Sequence, residues 1–182
     1  FLNPKFIFNL SLVVENQYLN KEYKKAKKTI KIFDAEDQFY YWYRIKKEAQ
    51  IILKQKSKQD SLTYIKEKFN KIEKKNNKFF LDIANFYRNL KEYKDAIKYY
   101  TKILDTLDED SEIKSDILYR RGGSYERLGV YEKADEDLLN SLRIYPDDAY
   151  VLNYLAYSWL ERNEKINEAI NMLEKAYSLK RN

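Results

Sequence analysis

The stretch of this chain that most resembles reactive chemistry is LYRRGGSYERLGVYEKADEDL, residues 118 to 138. It holds Gly122, Gly123 and Gly129, all 3 glycines of the 182 residues, beside Arg120, Arg121 and Ser124. A glycine-rich turn between a strand and a helix would offer backbone N–H groups and a helix N-terminus to a phosphate. That chemistry needs a strand before the glycines and a Lys-Ser/Thr pair after them, and the sequence has neither. Other constellations fail as well. With no Cys and no His, thiol nucleophiles, His-based triads, thiolate or imidazole zinc sites and disulfides drop out together. The acidic run DTLDEDSE, residues 105 to 112, lacks the central Gly and the terminal bidentate Glu of a calcium loop and reads as a solvated connection. The carboxylates of EKADEDLL lie along a helix beside Lys133, where exposed pairing accounts for them. No pair of acids marks a pocket wall, so no catalytic residue, metal ligand or cofactor is expected, and no enzyme.

The elements that would carry these residues are helices. Charged residues make up 35% of the chain, and 3 Gly and 2 Pro are too few for the turns of a strand-rich fold. No run approaches bilayer length, and no signal pattern opens the chain. It starts at Phe1 without a Met, which reads as a fragment or a processed product. Charge is uneven: residues 21 to 78 hold 18 Lys/Arg against 8 Asp/Glu, and residues 105 to 148 hold 6 against 13. A basic half could steer nucleic acid or an acidic partner, with Tyr40, Tyr41, Trp42 and Tyr43 interleaved for stacking. Against nucleic acid, Lys outnumbers Arg 27 to 8, and Arg is the residue that specific phosphate recognition favours.

Three stretches share one pattern: FFLDIANFYRNLKEYKDAIKYYTKIL, ILYRRGGSYERLGVYEKADEDLLNSLRIYP and VLNYLAYSWLERNEKINEAINMLEKAYSL. Apolar or small residues recur at helical spacing in a first helix: Phe80, Ile83, Ala84, Tyr87; Leu118, Arg121, Gly122, Tyr125; Leu152, Leu155, Ala156, Trp159. After a short polar turn, Ala96, Ala134 and Ala169 open a second helix at the point of close approach.

This pattern resembles the tetratricopeptide repeat, a 34-residue helix-turn-helix unit. Gly122, Tyr125, Gly129, Tyr131, Ala134 and Pro146 all fall at motif positions, so Gly122 reads as helix packing and Gly129 as the inter-helix turn. Only Gly123 has no family reason. Arg121 stands where the repeat has Leu, and reads as an anion ligand or as a stem crossing the helix pair with its head in water. Tyr23, Ala26 and Ile30 extend the pattern backwards. Repeats are placed at 7–40, 42–75, 77–110, 115–148 and 149–182; the second is degenerate, with Ser61 in place of Ala and no Gly at its turn. The resemblance implies one all-α domain over 1–182, a right-handed α-solenoid of about five repeats.

The same resemblance implies a non-catalytic scaffold that holds a peptide or helix of a protein partner in a concave groove. By motif phase that groove presents Tyr43, Lys46, Gln50, Lys78, Leu81, Asn85, Arg88, Tyr119, Glu126, Tyr150, Asn153 and Tyr157. Tyrosine suits such a surface, giving contact area at low entropy cost and a polar handle. Some family members clamp a chaperone C-terminal carboxylate; here Asn85 matches one clamp position, but Leu81 replaces a Lys and Tyr150 and Tyr154 replace a Lys and an Arg. The clamp is not expected. PDDAYVLNYLAYSWLERN is similar to repeats of long bacterial proteins, several lipid-anchored in the Gram-negative envelope. That implies a bacterial adaptor on the periplasmic side, with the cytoplasm as the alternative. The final helix, with Leu173, Ala176 and Tyr177, is too apolar for a cap. A longer parent protein, or self-association through that C-terminal edge, is expected.

Overall fold

A computed structural model describes residues 4–33, 37–107 and 110–181. Within them the chain forms ten α-helices and no strand: α1 (Pro4–Leu19), α2 (Tyr23–Ile30), α3 (Gln38–Gln55), α4 (Lys58–Asn70), α5 (Asn77–Asn89), α6 (Tyr93–Leu104), α7 (Glu112–Glu126), α8 (Tyr131–Ile144), α9 (Ala149–Glu161) and α10 (Ile166–Arg181). They fall into two compact units, Phe1–Lys75 and Asn76–Asn182. Phe1, Asp108, Glu109 and Asn182, on which readings of the chain ends and of the acidic run depend, lie outside the described residues.

Polar side chains start several helices by taking up N–H groups that have no helical partner. Asp37 accepts from the N–H of Phe39 and Tyr40, Ser57 from Asp60, Asn76 from Phe79, Ser111 from Lys114, and Asp148 from Tyr150 and Val151. The turns inside the helix pairs repeat one geometry. Lys21, Lys91, Gly129 and Asn163 each take positive φ, 61°, 62°, 72° and 56°. The next N–H then reaches back five residues: Glu22 to Gln17 (2.8 Å), Glu92 to Tyr87 (2.9 Å), Val130 to Tyr125 (3.0 Å) and Glu164 to Trp159 (2.9 Å). This is the Schellman closure, which satisfies carbonyls the helix end leaves bare. Three of the four left-handed residues are not glycine, so a missing Gly is not what sets the second pair apart. The α3–α4 connection has a different geometry, with Lys56 at φ −129° and Ser57 capping α4 directly.

In the first unit, Leu10, Val14, Ala26, Ile30, Phe33 and Ile51 form a core between α1, α2 and α3. Trp42 stacks at a tilt on Phe69 with centroids 5.1 Å apart. Ser61, at the position where the repeat has Ala, is fully buried and donates its hydroxyl to the Ala49 carbonyl at 2.7 Å. A buried polar group costs little once it is bonded, so serine serves where alanine would.

In the second unit α6 packs against α5 and α7, and α8 against α7 and α9, so these two second helices each lie between two first helices, while α10 packs against α9. Ala96, Ala134 and Ala169 are fully buried at these approaches. Gly122 is needed for the same reason: an added Cβ would lie 3.0 Å from Leu138 Cγ and 3.2 Å from the Ala134 carbonyl oxygen. Ser115 and Ser141 join α7 to α8 by reciprocal hydroxyl-to-carbonyl bonds of 3.0 Å. Of the residues expected to await a further helix on α10, Ala176 is already buried against α9; the exposed apolar side chains are Ile166, Ile170 and Tyr177. Among the described residues, no helix is long and apolar enough to cross a membrane.

Candidate partner-binding site

In the second unit the first helices α5, α7 and α9 each carry one stripe of polar and aromatic residues opposite the stripe they bury. On α5 the stripe is Lys78, Leu81, Asn85 and Arg88; on α9 it is Tyr150, Asn153, Tyr154 and Tyr157, at i, i+3, i+4 and i+7 spacing. Ile83 and Ala84 on α5, Ile117 and Leu118 on α7, and Val151, Leu152, Leu155 and Ala156 on α9 are buried on the other sides of these helices, and that burial fixes which side chains face outward.

At the centre Asn85 Oδ1 accepts from the Tyr100 hydroxyl at 2.7 Å and from Arg120 Nη1 at 3.4 Å. Arg120 also donates to Asp116 at 2.8 Å. Tyr154, reaching from α9, donates its hydroxyl to Glu126 Oε2 at 2.9 Å and meets the Tyr119 ring edge to face, centroids 5.7 Å apart. Burial, reinforced by the bond to Glu126, holds the Tyr154 phenol well above its ordinary pKa, so it stays a donor. Beneath lies Gly123, where an added Cβ would touch the Tyr154 hydroxyl at 3.4 Å and Arg88 Nη2 at 3.7 Å. The glycine without a motif reason is thus where two long side chains from neighbouring helices close over bare α7 backbone. The Arg88 carbonyl accepts from the N–H of Lys91 at 2.9 Å, but its guanidinium has neither a hydrogen bond nor an ion pair among the described residues.

Two recesses flank this cluster. One, of about 460 Å³, is lined by Lys78, Leu81, Ile103, Glu112, Ile113, Asp116 and Ile117, with an aliphatic floor and acids at its rim. The other, of about 140 Å³, lies between α7 and α9 and is lined by Glu126, Arg127, Asn153, Tyr154, Tyr157 and Ser158. The Ser158 hydroxyl is buried and has no hydrogen-bond partner among the described residues. Tyr150 and Tyr157 are 71% and 55% exposed, although Lys180 lies over the Tyr150 ring at 4.8 Å.

The structure brings together most of the groove residues expected in this unit: Asn85, Arg88, Tyr119 and Glu126 at the centre, Lys78 at the first recess, Asn153 and Tyr157 at the second. Tyr154, Gly123, Arg120 and Arg127 join them without having been expected. The only sequence signal for this was an interior helical glycine with no packing reason in the motif. Tyr43, Lys46 and Gln50 belong to α3 of the first unit. The Tyr43 ring lies 4.7 Å from that of Phe33 with its hydroxyl buried, Lys46 sits over Trp42 at 5.9 Å, and the Gln50 side-chain oxygen is buried.

Two readings of the sequence are corrected. Trp42 is 1% exposed and Tyr43 packs on Phe33, so these rings are wall and core and not platforms for bases. Arg121 neither binds an outside anion nor lays its head in water. Its guanidinium forks onto Asp137, which is 3% exposed, at 2.7 and 2.8 Å, and donates to Thr101 at 3.0 Å.

Residues 78–106 and 115–148, which fall on α5–α6 and α7–α8, match the family model described as tetratricopeptide repeat. A TPR repeat-containing protein of Methanocaldococcus jannaschii is 36% identical over 85 residues, 47% of this chain. The match spans 14% of that relative's length. Among solved structures, MamA from Desulfovibrio magneticus RS-1 superposes with a TM-score of 0.67 at 13% identity, covering 94% of this chain and 93% of that one. Another MamA crystal structure gives 0.65 at 14% identity, covering 93% and 95%. At such identities the likeness is one of fold.

Proposed function

The chain is a tetratricopeptide-repeat protein, and from that premise we propose that its second unit holds a segment of a partner protein along the faces of α5, α7 and α9. The family's fold is that of a protein-interaction scaffold, generally without catalytic activity, and the finer reading concerns where and how the partner is held. The observation that carries it is the state of Arg88: a guanidinium with no anionic or carbonyl partner among the described residues, set among half-buried tyrosines between two recesses. Interior ion pairs of this chain, such as Arg121 with Asp137 and Arg162 with Asp135, are completed within the fold. A cation left open on an aromatic-lined face is suited to complete itself on a partner.

Co-purification with the intact chain tests the placement. Tyr119→Ala and Tyr157→Ala should reduce recovery of the bound protein while helicity is unchanged, and Lys98→Ala, on an exposed position of α6, should not. Equal recovery by all three would move the site away from the first-helix faces.

A further inference from the structure

We infer that the segment bound along α5 and α7 is an extended peptide carrying an aliphatic or aromatic side chain and, about three residues away, a side-chain carboxylate. This rests on the proposed binding face and adds the chemistry of its ligand. Leu81 lines the apolar recess, and Arg88 lies seven residues further along the same helix on the same stripe. Seven residues of α-helix rise about 10 Å. An extended peptide covers that distance in about three residues.

Each end of this span has its own demand. At the recess, Leu81, Ile103 and Ile117 form an aliphatic floor, with Ile113, 64% exposed, at the mouth. An apolar side chain seated there leaves water on both sides of the contact. At the other end, Gly123 withholds a side chain beside Arg88 Nη2, and the Tyr154 hydroxyl lies over the same bare backbone. A carboxylate arriving there would accept from the Arg88 fork, a charge-assisted bond with the geometry that guanidinium favours. Arg120 is held by Asp116 and Asn85, and Arg127 by Glu126, so Arg88 is the cation of this cluster available to it. The carboxylate is that of an internal Asp or Glu, since one fork and a bare glycine floor make no demand for a chain end.

The test is selection from a random peptide library displayed away from any free C-terminus, against the intact chain. Enriched peptides should pair an apolar residue with Asp or Glu three positions away, in one consistent order. Arg88→Gln should lower affinity for a selected peptide about tenfold and abolish the preference for the acid while keeping that for the apolar residue; Arg88→Lys should restore part of it. Leu81→Glu should do the reverse. Changing the peptide's acid to its amide should cost wild type about tenfold and the Arg88→Gln variant nothing. Enrichment of peptides lacking the acid, or equal loss on both proteins, would overturn this ligand assignment and leave the binding face standing. Failure to enrich any sequence would contradict the face and the assignment together.

Discussion

The guanidinium of Arg121 on α7 holds the carboxylate of Asp137 on α8 through two bonds, Nε to Oδ2 at 2.8 Å and Nη2 to Oδ1 at 2.7 Å. Burial pushes the Asp137 carboxyl above its ordinary range, and the two bonds from Arg121 oppose that shift. Removing one partner strands the other's charge in the core. Asp137→Ala should therefore cost about 3–5 kcal/mol in urea unfolding, whereas the double change to Leu at both positions should be close to neutral. A single-site loss under about 1 kcal/mol would mean the pair is solvated in solution.

Gly129 sits at φ 72° with nothing within 4 Å of a would-be Cβ, so its substitution isolates backbone strain from packing. Gly129→Ala should lower stability by about 1 kcal/mol. Lys91→Gly, at the equivalent turn with φ 62°, should recover a fraction of a kcal/mol. Thermal or urea unfolding measures both, and a neutral Gly129→Ala would contradict the left-handed turn.

Ala134 is fully buried where α8 meets α7, and its carbonyl oxygen would lie 3.2 Å from a Cβ at Gly122. Overpacking from either side should cost about 1–3 kcal/mol, so Ala134→Leu and Gly122→Val should both lower the unfolding midpoint. A variant that melts with the parent would mean this helix pair has room for a larger side chain.

Burial raises the phenols of Tyr43 and Tyr100 to about 12, against about 10 in an unfolded chain. The native state keeps these protons where the unfolded chain has released them, so the stability they contribute is whole below pH ~10 and declines as pH rises toward 12. Tyrosinate absorbance should still be rising as pH approaches 12, together with loss of helical circular dichroism. Complete ionisation near pH 10 with helicity intact would refute this.

The helices were legible because apolar residues at i, i+3, i+4 and i+7 leave little choice of period, and the alanines Ala96, Ala134 and Ala169 marked the close approaches. The turns were legible in place but not in chemistry: the motif suggested glycine, while Lys21, Lys91 and Asn163 adopt the same left-handed geometry. Arg121 could not be read, because its partner lies 16 residues away on another helix. The same limit applied to the site. Motif phase singled out Asn85, Arg88, Tyr119 and Glu126 one helix at a time. That Tyr154 would reach Glu126, and that Gly123 would lie under both Tyr154 and Arg88, depends on the spacing of three helices.

The central claim is that the partner lies along the first helices of the second unit, and chemical-shift mapping tests it most directly. When a library-selected peptide is added to the isotope-labelled chain, amide shifts should concentrate in residues 78–88, 112–127 and 150–161. The outward positions of α6 and α8 should stay still. Shifts concentrated on those outward positions, or on α1 to α4 of the first unit, would contradict the account.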